Sequence, residues 1–459
     1  MPHVTFVTLA GFRIHSEELR ELGLTLPGFE ERAGALAELP ALGLITLAGM
    51  LPEHWTSDYW TLANVDENLV ERIMEGRPDL VAISALTASI EEAYLLSVML
   101  RGGGIRTIIG GLHATACPDE VLENADAVAI GQGELIWPQV MSDVDAGRLQ
   151  RRYFASWGAG LSEFPVPRFD LLGNVSRYTV QTQRGCPFAC DFCAASRLLG
   201  RFSEKPVEQI SQELEAILRL DPKPLIELAD DNTFAGSRDF GPFFDLFDGA
   251  NVRWFTESDW RMGERPEILS RLAASGCVQV LVGLESTIFR YPGMGLKAAE
   301  FERMEQAVIA IQESGVAVNA CFIVGADGET RDSMDRLTAY LLQAPFADVQ
   351  VTLQTPFPGA GLRSRLESAG RLLGERGWSH YSLFDVTFQP DAMTVGELET
   401  SFRELIKHVY GPTATQRRRR IRREIWRNNP RLRNGAPAHS DSSHAQDDRP
   451  IFDRTTAGD

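Results

Sequence analysis

The sequence offers little that would place the chain in a membrane or outside the cell. It contains no run of eighteen or more apolar residues, which argues against a membrane-spanning helix. It has six cysteines in 459 residues, too few for the disulfide framework of a secreted protein. Its first residues, MPHVTFVTLAG, lack the basic flank of a secretory signal and are typical of a first strand. We therefore expect a cytoplasmic protein without a membrane span.

Positive charge is also scarce, which argues against a nucleic-acid partner. The formal net charge is −18, and such a surface would repel a phosphate backbone. The exception is residues 417–433, which hold nine arginines against one glutamate. This segment could contact phosphate or an anionic membrane, or it could be a helix that packs on the protein body through Ile421, Ile425 and Trp426. The spacing of those three apolar residues favours the second interpretation.

Three of the six cysteines stand close together, in the segment RGCPFACDFC. The spacing C-x3-C-x2-C puts their thiolates on one loop, where they can bind three irons of a 4Fe–4S cluster and leave the fourth iron open. A structural zinc site is the alternative, but it needs four ligands, usually from paired Cys or His residues. The other cysteines stand singly, so the pattern favours the cluster. The proposed ligands are Cys186, Cys190 and Cys193, and the single cysteines are Cys117, Cys277 and Cys321.

A strand–helix unit repeats six times over residues 177–359. Six such units predict a partial (β/α)6 barrel of the TIM type, in which chemistry takes place at the carboxyl ends of the strands. The predicted strands are 178–185, 225–232, 252–258, 278–286, 318–325 and 348–359. Polar residues stand at the predicted carboxyl ends, namely Asp230, Asp231, Asn232, Glu257, Ser258, Glu285 and Ser286.

Residues 1–150 also alternate apolar strands with helical patterns, which predicts a doubly wound, Rossmann-like α/β domain with a parallel sheet. The predicted strands are 3–11, 55–60, 80–86, 106–111 and 127–131. Ligands of such sheets bind at the carboxyl ends of the strands, where small residues let a large cofactor approach the backbone. The small residues at those ends are Ala10, Gly11, Ser84, Ala85, Gly110, Gly111, Gly131 and Gly133.

The remaining segments complete an α/β organisation with two main domains. Residues 151–176 are expected to form a linker, and residues 360–433 a C-terminal α-rich extension that includes the basic helix. The Ser, Asp, Gly and Pro content after that point predicts a disordered tail over residues 434–459.

The cysteine segment resembles the cluster motif of radical S-adenosylmethionine (radical SAM) enzymes, including the aromatic Phe192 just before the third cysteine. The segments IIGGLHATACPDEV and AIGQGE resemble the cobalamin-binding domain of the cobalamin-dependent members of that family. One departure is the missing Asp-x-His-x-x-Gly motif, which supplies a histidine ligand to cobalt in methionine-synthase-type domains. His113 could face the cofactor, although a loop histidine bonded to the backbone is the simpler interpretation.

The resemblance implies three cofactors: a 4Fe–4S cluster on the three clustered cysteines, SAM on its open iron, and cobalamin at the small residues of the N-terminal domain. It implies that the main chain beside Phe192 contacts the adenine of SAM. It also implies that Asp230 and Asp231 lie near the methionyl amine, with helix N-capping as their alternative role. Further SAM contacts are implied for the polar groups at the next two strand ends, Glu257, Glu285 and Ser286.

The implied function is transfer of a methyl group to an unactivated carbon of a small-molecule, lipid or natural-product substrate through a 5′-deoxyadenosyl radical. An electron donor such as flavodoxin or ferredoxin would reduce the cluster. Three alternatives stay open: a cobalamin-using cyclase or rearrangement enzyme, a radical SAM enzyme with an empty cobalamin domain, and a non-catalytic cobalamin sensor. The intact cysteine motif weighs against the sensor.

Overall fold

The computed structural model describes residues 1–9, 41–155, 161, 164–200 and 202–433. The strands in these ranges are β1 (His3–Leu9), β2 (Thr56–Leu62), β3 (Leu80–Ser84), β4 (Thr107–Gly110), β5 (Ala127–Ile130), β6 (Arg152–Phe154), β7 (Tyr178–Val180), β8 (Gln183–Arg184), β9 (Ser203–Glu204), β10 (Leu225–Leu228), β11 (Arg253–Asp259), β12 (Cys277–Glu285), β13 (Ala317–Val324) and β14 (Asp348–Leu353). The α-helices span Leu42–Gly49, Glu67–Glu75, Ile90–Gly102, Leu112–Ala116, Pro118–Asn124, Gly133–Asp145, Ala195–Leu198, Val207–Leu220, Gly241–Ala250, Pro266–Leu272, Phe301–Glu313, Arg331–Gln343, Gly361–Ser368, Val395–Val409, Pro412–Trp426 and Pro430–Arg433.

The N-terminal sheet is parallel, with strand order β2-β1-β3-β4-β5-β6. Its interior strand β1 is buried on both faces, because Phe6 packs in one apolar layer and Val7 in the other. A parallel strand covered on both sides is typical of doubly wound folds, and the predicted fold class is confirmed. The sheet extends past the predicted domain boundary at residue 150, since β6 pairs with β5. The domain boundaries themselves stay predictions.

The second parallel sheet, called the barrel sheet here, has the order β14-β13-β12-β11-β10-β7. Its outer face packs against the helices through residues such as Val180, Leu228, Trp254 and Val282. Successive side chains of a strand point to opposite faces, so the intervening residues form the inner face of the barrel. The inner face carries Thr179, Glu227, Phe255, Glu257, Gln279, Leu281, Asn319, Cys321 and Gln350.

The basic helix Pro412–Trp426 packs across the amino ends of the barrel strands. Ile425 lies in an apolar cluster with Ala317 and Ala347, which Ile421 and Trp426 flank. The guanidinium of Arg418 is buried, with its Nε 3.7 Å from the carboxylate of Asp348. These contacts support the predicted packing role of this segment. The predicted tail, residues 434–459, lies outside the described residues.

Among the residues that the structure describes, none of the helices combines the length and the apolar character needed to cross a bilayer.

Candidate active site

The cysteine loop follows β8 and leads into helix Ala195–Leu198. Cys190 is buried, while Cys186 and Cys193 are partly exposed. The amide Nδ2 of Asn232 lies 3.9 Å from the Sγ of Cys186, and the backbone N–H of Ser196 lies 3.4 Å from the Sγ of Cys193. Burial raises the pKa of the Cys190 thiol to about 11, so a bound metal would have to displace its proton. Three thiols on one loop with N–H donors beside their sulfurs fit an iron–sulfur cluster.

A segment after β12, residues 286–297, covers the cysteine loop. The backbone N–H of Asp191 donates to the carbonyl of Pro292 at 2.8 Å, and that of Ala189 to the carbonyl of Gly293 at 3.3 Å. Gly293 has a φ of +81°, and a Cβ there would overlap the carbonyl oxygen of Ala189. The ring of Phe192 packs against that of Tyr291, with centroids 4.8 Å apart. The covering segment therefore shields the apolar side of the loop.

The carboxylate of Asp230, predicted to lie near the methionyl amine of SAM, accepts hydrogen bonds from other residues of the chain. This buried carboxylate accepts the backbone N–H groups of Thr182 and Gln183 at 2.7 and 3.0 Å, and the hydroxyl of Thr233 at 2.9 Å. These bonds tie the start of the cysteine loop to the end of β10. The alternative role of helix N-capping is wrong, because the next described helix begins only at Gly241.

Asp231 is the carboxylate of this pair that remains available to a ligand. Burial and the neighbouring Asp230 raise the pKa of Asp231 to about 6, although a backbone hydrogen bond from Gly185 opposes the shift. A buried carboxylate whose charged form is disfavoured gains from a nearby cation. The methionyl ammonium of SAM is such a cation, and its contact with Asp231 stays a prediction.

Glu285 and Ser286 also lie beside the cysteine loop. Glu285 is buried with a φ of +63°, and its carboxylate lies 3.5 Å from the Nζ of Lys297. Ser286 accepts the backbone N–H of Phe289 at 3.1 Å. Glu257, in contrast, lies exposed on the inner face of the barrel. The contact of these three residues with SAM stays a prediction.

Lys297 is a site residue that sequence reasoning missed. Burial alone would lower its pKa, but the carboxylate of Glu285 and the thiol of Cys190 raise the pKa above the ordinary lysine value. The side chain therefore stays protonated and can offset the negative charge of thiolates bound to iron. Lys297 belongs to a short 3-10 turn, Gly295–Lys297, and no strand or helix periodicity marks it in the sequence.

Asp259 is a second residue that was missed, and it binds Asn232, one of the polar residues at the predicted strand ends. The Nδ2 of Asn232 donates to the Oδ2 of Asp259 at 2.9 Å, and its Oδ1 accepts the backbone N–H of Asp259 at 3.0 Å. The guanidinium of Arg261 binds the same carboxylate at 2.8 Å. This network fixes the amide that faces Cys186. Asn232 stands at a strand end in the sequence, but only the fold brings its partners together.

The predicted cobalamin residues of the described chain line the carboxyl edge of the N-terminal sheet. Ser84 and Gly110 are register partners on β3 and β4. Gly111 has a φ of +106°, and a Cβ there would contact Ser84 and the carbonyl of Ala85. An edge built of backbone and small side chains suits a large, flat cofactor.

The neighbouring turn after β5 continues this edge. Gly131 has a φ of +90°, and a Cβ there would stand 3.0 Å from the carbonyl oxygen of Ala155. Gly133 begins the helix that follows. Two further predicted residues, Ala10 and Gly11, lie outside the described residues. The assignment of these positions to cobalamin stays a prediction.

A buried ion pair joins the two candidate cofactor sites. Arg184, two residues before Cys186, binds both carboxylate oxygens of Glu134 at 2.6 and 3.2 Å. Glu134 directly follows Gly133, and its side chain is 6% exposed against 13% for Arg184. The cysteine loop and the glycine turn of the N-terminal sheet therefore hold a fixed position relative to each other.

His113 has side-chain partners rather than backbone ones. Its buried ring lies 3.3 Å from the hydroxyl of Thr87 and 3.4 Å from that of Tyr94. The ring of Trp378, from the C-terminal extension, packs edge-on against it with centroids 4.9 Å apart. The indole of Trp378 also donates to Glu120 at 2.7 Å. This cluster docks the extension onto the N-terminal domain.

Two family models match the chain. The model of the B12 binding domain matches residues 33–140, and that of the radical SAM superfamily matches residues 180–341. Together the two ranges cover more than half of the chain. The first range contains strands β2 to β5 of the N-terminal sheet, and the second contains strands β10 to β13 of the barrel sheet.

Curated relatives and solved structures agree with this combination. The bacteriochlorophyllide d C-12(1)-methyltransferase of Chlorobaculum tepidum is 25% identical, over 79% of this chain and 82% of its own length. The anaerobic magnesium-protoporphyrin IX monomethyl ester cyclase of Rubrivivax gelatinosus is 23% identical, over 72% of this chain and 66% of its own length. The radical SAM methyltransferase TsrM of Kitasatospora setae, solved with cobalamin and a 4Fe–4S cluster, superposes with a TM-score of 0.63. It is 13% identical, and the match covers 93% of this chain and 99% of that one, which shows a shared fold.

The cofactors of such enzymes are a 4Fe–4S cluster, SAM and cobalamin, as the sequence predicted. The chain joins a B12-binding domain to a domain of the radical SAM superfamily, and it belongs to the cobalamin-dependent radical SAM enzymes.

Proposed function

We propose that the chain transfers a methyl group to an unactivated carbon of a small-molecule substrate. The observation that carries the proposal is the cysteine loop, where three thiols lie together, two of them beside N–H donors, and near the ammonium of Lys297. When bound, the cluster supplies the electron that cleaves SAM, and cobalamin supplies the methyl group.

The residues of the chain would bind and orient these groups. Cys186, Cys190 and Cys193 would hold the cluster, and Asp230 holds the loop that carries them. Asp231 would accept the methionyl ammonium of SAM at the carboxyl end of β10. The covering segment, residues 286–297, would exclude water from the cluster side of the barrel.

A matched pair of cysteine variants tests the proposal. The protein is reconstituted without oxygen with iron, sulfide and cobalamin, reduced, and incubated with SAM carrying a deuterated methyl group. We expect 5′-deoxyadenosine from the wild type and from Cys117→Ala, whose thiol lies in the N-terminal domain, but none from Cys190→Ala. Unchanged 5′-deoxyadenosine formation in Cys190→Ala would contradict the assignment of the cluster.

The electron for the cluster would come from a separate carrier such as flavodoxin or ferredoxin. The motif cysteines of the described chain provide ligands for one cluster, so a further protein must deliver electrons to it. A reducing compartment, the cytoplasm, would keep such a cluster intact. Turnover with reduced flavodoxin but not with its oxidised form is the expected result.

Cyclisation is the second candidate reaction, because one relative carries the name of a cyclase. The deuterated methyl group distinguishes methyl transfer from cyclisation. A product that contains it indicates methyl transfer, whereas 5′-deoxyadenosine together with an unlabelled, ring-closed product indicates cyclisation.

A further inference from the structure

The inner face of the barrel sheet is unusually polar for the interior of a protein. Two of its rows can be read from the strand register. The lower of these carries Thr179, Glu227, Phe255 and Gln279 side by side on β7, β10, β11 and β12. The next row up contains Glu257, Leu281 and Asn319. Apolar side chains fill a closed barrel interior, so this one is suited to a ligand.

Several polar atoms on this face have no hydrogen-bond partner among the described residues. They are the Oγ1 of Thr179, the Oε2 of Glu227 and the Oδ1 of Asn319, and all three are buried. Thr179 is 6% exposed and Asn319 is 2% exposed. Buried polar groups nearly always have a hydrogen-bond partner, so we expect these atoms to bond to a ligand that occupies the barrel. All three can accept a hydrogen bond, and the Oδ1 of Asn319 can only accept, so a partner that donates would satisfy all of them.

The charge on this face is negative. Glu227 and Glu257 lie on neighbouring strands, and burial together with the charge of Glu257 raises the pKa of Glu227 to about 7, an effect that Arg177 partly opposes. A cation between the two carboxylates would relieve both the desolvation and the repulsion. Phe255 is the neighbour of Glu227 in the row, and its ring offers apolar contact to the carbon atoms that carry such a cation.

The position of this row suits a substrate that must reach the cluster. Glu227 stands on β10, three residues before Asp230, which follows the carboxyl end of that strand; at about 3.3 Å per extended residue this is a distance of roughly 10 Å. A molecule anchored at Glu227 would therefore extend towards the carboxyl ends of the strands, where the cysteine loop lies.

We propose that the inner face binds the cationic, hydrogen-bond-donating end of the substrate, an amine or a guanidine, through Glu227 and Thr179, with Asn319 on the facing wall. This proposal rests on the proposed function, which it deepens by giving the chemical class of the substrate. The target carbon then lies on the other side of the substrate, towards the cluster.

Three phenyl compounds that differ in the charge of their polar end test the proposal. 2-Phenylethylamine, 2-phenylethanol and 3-phenylpropionate are titrated into the reconstituted enzyme at pH 8 by calorimetry, with S-adenosylhomocysteine present to fill the nucleotide site. A charge-assisted hydrogen bond predicts that the amine binds at least about tenfold tighter than the alcohol and the acid. In Glu227→Gln we expect the amine to bind no tighter than the alcohol.

Two further variants make the result specific. Glu208→Gln, on the exposed surface of helix Val207–Leu220, is the matched control and should keep the preference for the amine. Thr179→Val has nearly the same shape as threonine and should weaken amine binding several-fold, which keeps the test decisive if Glu227→Gln fails to fold.

The outcomes separate the proposal from the function on which it rests. Equal binding of the three probes, binding of none, or an amine preference that survives in Glu227→Gln would overturn the proposal. If the same wild-type preparation forms 5′-deoxyadenosine, the proposed function still stands in that case. If it forms none, the proposed function falls as well.

Discussion

The ion pair between Arg184 and Glu134 should be a main source of stability between the two cofactor domains. Glu134→Ala would leave the guanidinium of Arg184 buried, with Gln181 as its remaining polar partner at 2.9 Å. Removal of one partner of a buried pair typically costs about 3 to 5 kcal/mol. Because Gln181 compensates in part, we expect about 3 kcal/mol, which corresponds to a fall of roughly 6 to 12 °C in the Tm of a domain of about 150 to 250 residues.

A double-mutant cycle read by thermal unfolding tests this expectation. Arg184→Ala and Glu134→Ala should each destabilise the protein, and the double variant should cost clearly less than the sum of the two. The exposed pair between Arg271 and Asp245 is the control, since Asp245→Ala should change the free energy of unfolding by less than about 1 kcal/mol. Additive effects of the two buried substitutions, or a Tm within a degree of the wild type, would refute the reasoning.

Three further predictions follow from the site. Asp230→Asn can keep one oxygen for the backbone N–H groups of the cysteine loop, but it puts an NH2 donor where the other oxygen accepts the hydroxyls of Thr182 and Thr233, so we expect a loss of about 1 to 3 kcal/mol in stability and less iron per chain after reconstitution. Gly293→Ala should also lower the iron content, because its Cβ overlaps the carbonyl of Ala189; unchanged iron would count against the covering role of residues 286–297. The pKa of Glu227 is raised from 4.5 to about 7 in the folded protein, so the folded state binds more protons between these values and loses stability as pH rises through them. Glu227→Gln should therefore stabilise the apoprotein at pH 8, by at most about 3 kcal/mol, and much less at pH 5, as Tm measurements at both pH values will show.

The fold was largely predictable because its signals are local. Each parallel strand is a short apolar run followed by a helical pattern, and the cysteine spacing is visible in eight residues. Strand β6 was missed, since three residues with exposed ends carry no recognisable pattern.

The environment of the site residues could not be predicted in the same way. Asp230 and Asp231 are neighbours in the sequence, yet only Asp230 accepts the backbone N–H groups of Thr182 and Gln183 at the start of the cysteine loop. This difference depends on how β10 meets that loop. Lys297 stands more than a hundred residues from Cys190, and only the covering segment brings it there. Arg184 and Glu134 likewise meet through the docking of two domains.

We expect the three thiols of the cysteine loop to bind a cluster with one open iron, to which SAM coordinates. Electron paramagnetic resonance of the reduced, reconstituted protein with and without SAM tests it most directly. We expect a 4Fe–4S signal that shifts when SAM is added and that is absent in Cys186→Ala. A zinc-containing protein without that signal, or a cluster signal that SAM leaves unchanged, would contradict it.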